Sequence, residues 1–390
     1  MEPTWKYYYN IPKRMLSIIG QWPYQKERRM KRFRLSLVTA FIFSMAIPQW
    51  IYNFRCPSMR CFLQNLPSCM FPAMAILKLY TCKLVISKIK RLTDYLQDDW
   101  KEIKNPEECE IVRKYALTAR LHNLTYCIFF VTTTNIFAMT SLIPQMLNLI
   151  SPLNESRPLI MATEVYFFVN SEDYYFYILF HTILSANVML TIIFAHDCTF
   201  MAYTEHVCGL FAVVGFRFEN LSRNDSNDAT SPEDCKAYNQ MIGVSVHIHC
   251  RALQFAELLE ETFCVTFAAQ MLVIVLTLSI TLLQMALQLD DIIAIMKCIL
   301  YVIAQILHVF IYSLQGQKLI DHSLHIRDKI YKSRWYDIPV RSQKLLLHVM
   351  QKSLQPSYLS AGKIYVFSLK SFTTVLQSSV SYFTVLASFQ

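Results

Sequence analysis

Glycine is scarce in this chain, with six in 390 residues, and neither GxGxxG nor GxxxxGK[ST] occurs. A glycine-rich loop that cradles a nucleotide phosphate is thereby excluded. Charge is scarce as well: 17% of residues are charged and 54% hydrophobic, where soluble domains carry about 25% charge. The twelve cysteines form no CxxC pair, so most are read as reduced thiols that pack as small apolar groups. GxSxG and HExxH are missing too, and nothing in the chain asks for catalysis or a cofactor. His247, His249 and Cys250 stand together, yet i and i+2 point to different helix faces. His322 and His325 are better spaced, but no carboxylate or thiolate completes a site, so no metal is expected. Residues 1–34 are basic and aromatic without an apolar h-region, so the first span is expected to do the targeting.

What is present are apolar runs of membrane length. An apolar helix of about 20 residues crosses the hydrocarbon layer, and seven candidates fall at 35–53, 62–80, 122–147, 174–198, 263–288, 292–314 and 364–388. The second and seventh are the weakest, because the second holds Pro67, Pro72 and Lys78 and the seventh many hydroxyls. Pro48 and Pro144 are expected to kink the first and third. Lysine and arginine mark the cytoplasmic side of a membrane protein. The segments 1–34, 81–121, 199–262 and 315–363 hold 31 of them and the opposite turns only 3. The expectation is an all-α, seven-transmembrane-helix protein of inverted topology, N-terminus cytoplasmic and C-terminus extracellular. The net charge of +9 then reflects orientation in the bilayer and not nucleic-acid binding. Asn154-Glu-Ser156 lies in the longest outer loop and is the expected glycan acceptor, whereas Asn123, Asn220 and Asn224 fall on the inner side. Cys56 and Cys61 flank an outer turn, and the sequence leaves open whether they are bridged.

Four regions follow: 1–34, a cytoplasmic N-terminal segment; 35–314, six helices with cytoplasmic extensions; 315–362, cytoplasmic anchor helices; and 363–390, the seventh helix. Val85, Ile89, Leu92, Leu96 and Ile103 recur at helical spacing below the second span, and two more amphipathic stretches follow the sixth. Such faces need partners, so a packed cytoplasmic bundle is expected. The stretch 222–235 is polar and rich in turn residues.

On the seventh helix, Ser371, Thr374, Ser378, Ser381, Val385 and Ser388 follow spacings of 3, 4, 3, 4 and 3, a single seam. Two readings stay open. The hydroxyls bond carbonyls of their own helix and allow close packing, or several copies of the seam surround a water-filled pore that Val385 closes by dewetting. Aromatic and methionine residues crowd the outer halves of the middle helices: Phe137, Met139, Tyr177, His181, Met296 and Tyr301. They are either ordinary packing or the lining of a cavity for a small lipophilic ligand. Lys297 is expected to snorkel to the outer surface and not to touch a ligand. The runs show no charged intramembrane pair and no inverted repeat, which argues against a transporter.

The ending "SLKSFTTVLQSSVSYFTVLASFQ", with seven spans in inverted order, resembles the insect odorant receptor family over almost the whole chain. "YYFYILFHTILSANVML" and "AYTEHVCGLFAVVGFRFENL" resemble that family's expanded group in ants, bees and wasps. The resemblance implies an odorant-gated, non-selective cation channel, a heterotetramer with the shared odorant receptor coreceptor. It implies a place in the plasma membrane of olfactory neuron dendrites. It puts the gate at Val385 and a hydrophobic constriction at Phe389. Ser388 stands where the coreceptor type has glutamine, a departure that fits a tuning subunit. For this group the implied ligands are long-chain hydrocarbons or other cuticular cues. "SYFTVLASF" also approaches the TYhhhhhQF ending of insect gustatory receptors. A G-protein-coupled receptor would need an outside N-terminus, a DRY-like triplet and NPxxY, and the chain has neither motif.

Overall fold

The computed structural model describes residues 5–151, 157–221, 232–287 and 291–388. Its helices are α1 (Trp5–Tyr8), α2 (Asn10–Ile18), α3 (Arg28–Phe54), α4 (Met59–Leu84), α5 (Ile86–Glu102), α6 (Pro106–Met139), α7 (Ile143–Ile150), α8 (Tyr175–Glu219), α9 (Pro232–Leu287), α10 (Ile292–Lys332), α11 (Val340–Lys352) and α12 (Leu369–Ser388). The seven expected spans fall on α3, α4, α6 with α7, α8, α9, α10 and α12. Five of these are long and apolar enough to cross a membrane by themselves. The α4 segment qualifies only together with α5, from which it is bent by 68°. That bend turns the chain out of the bundle direction where the apolar run gives way to an amphipathic one.

Local chemistry sets the ends. Ser58 Oγ accepts from Cys61 N at 3.2 Å to open α4. Asn105 caps α6 with Pro106 in its first turn, where the missing N–H costs nothing. Asp291 Oδ1 accepts from the N–H groups of Ile293 (2.9 Å) and Ala294 (3.1 Å) at the start of α10. Pro144 does not kink a continuous helix. The third span breaks into a 3-10 turn at Thr140–Leu142, and Pro144 sits in the first turn of α7. Cys56 and Cys61 are disulfide-bonded, tying the end of α3 to the first turn of α4, and the other ten cysteines form no disulfide.

Helices α8, α9 and α10 run for 45, 56 and 41 residues. At 1.5 Å per residue they span roughly 60–85 Å, about twice or more the 30 Å of a hydrocarbon core. Their surplus forms a second bundle with α2, α5 and α11. In it α8 is buried on every side from Ile192 to Phe211. The amphipathic faces find their partners there, with Ile89, Leu92 and Leu96 of α5 and Leu346 and Val349 of α11 all buried. Charged groups stitch the same bundle: Arg217 grips Glu108 through two bonds of 2.7 Å, and Lys318 meets Glu205 at 2.5 Å. The region boundaries at 34/35 and 314/315 fall inside α3 and α10, which run through them unbroken.

Among the described residues, the all-α expectation has one small exception. Ser360–Ala361 (β1) and Tyr365–Val366 (β2) pair as an antiparallel ribbon between α11 and α12. Gly362 takes φ +63°, which glycine adopts without steric cost, and its N–H donates to Cys264 O of α9 at 3.1 Å. Next to the ribbon, a Cβ on Gly316 of α10 would lie 2.3 Å from the Phe367 carbonyl oxygen, so only glycine allows this approach.

Candidate ligand cavity, buried polar cluster and terminal helix

A cavity of about 370 Å³ opens at the end of the bundle that carries the disulfide. Helices α3, α4, α6, α8, α9 and α10 wall it, and the segment 160–164 passes over it. Tyr166 N donates to the Pro48 carbonyl (3.2 Å), which fixes this covering segment to α3. Phe71, Phe137, Ile183, Met189 and Leu300 supply apolar wall, while Gln49, Asn65, Thr133, Asn187 and Lys297 supply polar groups.

Of the six candidate ligand residues, Phe137 and Tyr301 line this cavity. Tyr301 also donates to the Pro67 carbonyl at 3.2 Å, a group of the proline-bearing second span. Met139, Tyr177 and Met296 do not line it. They are 55%, 76% and 41% exposed on outward helix faces, and for this cavity the expectation is corrected. Density of aromatics along a run does not fix the rotation of the helix that bears them. His181 lies beside the cavity and not in its wall; its Nε2 meets Ser44 Oγ at 3.0 Å, and its ring abuts Phe167. Lys297 is the reverse correction. Its Nζ turns inward, lines the cavity and donates to the Met161 carbonyl at 2.7 Å.

The apolar runs also hide a charged pair that sequence reading missed. Lys78 of α4 and Asp197 of α8 form an ion pair, both side chains at most 1% exposed. Tyr126 OH of α6 and Tyr312 OH of α10 donate to the same carboxylate, at 2.6 and 2.5 Å. Because Tyr126 spends its proton on Asp197, the His308 Nδ1–H must donate to the tyrosine oxygen (3.1 Å). His308 Nε2 then accepts from Gln270 of α9 at 2.5 Å. Four helices thus meet at one carboxylate, and α9 joins the network through Gln270 and His308. Buried charge is tolerated only when paired and hydrogen-bonded, and Asp197 is both. The available signal was a single residue among Lys, Arg, Asp and Glu inside each of two apolar runs, Lys78 in the second and Asp197 in the fourth, of opposite sign.

Below the cluster, Tyr312 packs on Phe367, which leads from the ribbon into α12. One face of α12 is buried against the chain: Val375 is 6% and Ser379 0% exposed, and Ser279 Oγ of α9 donates to the Ser379 carbonyl at 3.2 Å. The hydroxyl seam lies elsewhere. Thr374, Ser381, Val385 and Ser388 are exposed, and Ser371 and Ser378 are half-buried. Ser378 and Ser381 donate to the carbonyls four residues back, both at 2.9 Å, and Ser388 donates to Val385 O. The self-bonding reading therefore holds for these hydroxyls, but the close packing attached to it does not occur within this chain. Phe389 and Asn154 lie outside the described residues. Asn123 is buried, with its side-chain amide donating to Cys198 O. His247 stands near Glu102 and His249 packs on Phe211.

A bundle with five or six helices long and apolar enough to cross a membrane defines the class, a multi-pass helical membrane protein. Its fold is similar to that of the olfactory receptor OR5 from Machilis hrabei in complex with eugenol, with a TM-score of 0.76, 14% identity and 98% of each chain covered. The sequence profile described as "7tm Odorant receptor" matches residues 58–380, and the chain belongs to the odorant receptor family. The chain is 24% identical to odorant receptor 22c of Drosophila melanogaster over 50% of its own length and 48% of that protein. It is 30% identical to the odorant receptor coreceptor of Aedes aegypti over 31% of its own length and 26% of that protein. The matched part thus spans about half or less of these curated relatives. This family is one of receptors and not of enzymes, and with it the gustatory and G-protein-coupled alternatives are set aside.

Proposed function

We propose that the chain is the ligand-tuning subunit of an odorant-gated, non-selective cation channel. It assembles with the odorant receptor coreceptor in the plasma membrane of olfactory neuron dendrites, its N-terminus inside. The observation that carries this reading is the position of the α12 seam: six residues at 3–4 spacing, none of them buried, on a helix whose other face is packed. A helix in the membrane with a polar stripe unmatched by its own chain needs other subunits or water along it. The cavity walled by α3, α4, α6, α8, α9 and α10 supports a ligand site separate from the seam, and the line from Tyr312 through Phe367 to α12 supports coupling between the two. The charge asymmetry of the loops supports the inverted orientation.

The first experiment needs no ligand. Tags at both ends are stained on unpermeabilised cells that also express the coreceptor, and Asn154→Gln is checked for loss of a glycan. A hidden N-terminus with an exposed C-terminus is expected. An exposed N-terminus would overturn the orientation and, with it, the placement of cavity and pore.

A further inference from the structure

We propose that the cavity selects a small amphiphile headed by a hydroxyl, an alcohol or phenol, held between Gln49 and Lys297. This rests on the receptor reading above and names the ligand class of that same site.

Gln49 is 3% exposed, yet its Oε1 has no hydrogen-bond partner among the described residues. Its Nε2 reaches only Thr163 Oγ1, at 3.5 Å. A buried amide acceptor left unpaired is costly, so the site is built for something that donates to it. Lys297 presents the complementary need. An ammonium carries three donors, and one is spent on the Met161 carbonyl at 2.7 Å. Met161 and Thr163 are two residues apart on the same covering segment. Gln49 from α3 and Lys297 from α10 therefore both line the cavity and both bond to this covering segment.

A hydroxyl donates to one of these groups and accepts from the other at once. A hydrocarbon leaves both polar groups unmatched. A ketone or ether answers Lys297 alone. A carboxylate would face the Gln49 oxygen in a cavity that Glu164 and Asp291 also line. The apolar remainder of the wall, Phe71, Phe137, Met189 and Leu300, receives the body of the ligand. At about 370 Å³ the space is near the low end of small-molecule sites, roughly 300–1,000 Å³, which suits a compact volatile better than a long cuticular hydrocarbon.

The test records currents from cells expressing the chain with the coreceptor, exposed to octanol, octyl methyl ether and octane, with surface labelling of every variant. Octanol is expected to act at concentrations about tenfold or more below those of the ether and the alkane, the size of one buried hydrogen bond completed. Gln49→Leu should abolish the preference of octanol over the ether. Lys297→Met should weaken both oxygen-bearing compounds relative to octane, and Lys297→Arg should restore them in part. Equal potency of octanol and ether in the unmodified receptor would overturn the proposal, meaning that water and not the ligand answers Gln49. So would a preference that survives Gln49→Leu in a surface-exposed variant, or currents to octane without currents to octanol; each leaves the receptor reading standing. Silence to every compound, with the complex at the surface, would remove both.

Discussion

Around Asp197, polar side chains face inward and bond across five helices; along α12 they face outward and bond within one. Both sets sit in apolar runs and both are hydrogen-bonded, but they do different physical jobs. The inward set is tertiary: Lys78, Tyr126 and Tyr312 bond to Asp197 across 119, 71 and 115 residues of chain, so its geometry exists only in the folded bundle. The outward set is local and persists wherever the helix does. Folding constrains the first and leaves the second free for a role beyond the subunit. A cross-helix network fixes where helices stand, and a self-satisfied seam offers hydroxyls to water or to neighbouring subunits without weakening the helix that carries them.

Breaking the inward set should have the largest effect. Asp197→Ala strands the Lys78 ammonium, and leaving a buried charge unpaired costs about 3–5 kcal/mol. We expect failure to reach the cell surface or a steep loss of thermal stability in detergent. Replacing the pair together, Lys78→Met with Asp197→Leu, should recover most of that loss, because an apolar pair of similar volume is often no worse than a buried ion pair. If the double variant is as unstable as Asp197→Ala, the remaining tyrosine and histidine bonds matter more than the ion pair. Val385→Ser should leave surface expression unchanged but raise the resting current beside the coreceptor. An unchanged current would take this side chain out of the gate. The smallest effect is expected for Ser378→Ala or Ser381→Ala, within about 0.5 kcal/mol of the unmodified chain, as for surface changes generally. A loss comparable to Asp197→Ala would erase the distinction between the two sets.

The spans were legible because burial in lipid imposes long apolar runs, and the amphipathic helices were legible because 3.6 periodicity survives in Ile89, Leu92 and Leu96. The seam was legible for the same reason, being a local pattern. The pairings were not. Lys78 and Asp197 are 119 residues apart, and each taken singly reads as a blemish in an apolar run. The rotations that turn Met139, Tyr177 and Met296 away from the cavity, and Lys297 into it, depend on neighbouring helices and on the segment 160–164. No spacing within one helix encodes them. The ribbon at Ser360–Val366 depends on where distant backbone comes together, on Cys264 and Gly316 in particular.

That ribbon gives α12 a fixed foot. Its turn is bonded to Cys264 of α9, and Phe367 is pressed against Gly316 of α10 with no room for a methyl group between them. A rod clamped in this way cannot slide along its axis, but it can tilt like a lever. For a 20-residue helix a tilt of roughly 10° at the foot carries the far end about 5 Å, at 1.5 Å of rise per residue. The displacement grows from nearly nothing at Leu369 to its maximum beyond Val385. Whatever pushes α12 from the side therefore does its work at the tip, and the same small strain near Tyr312 that would be lost in a piston is multiplied there.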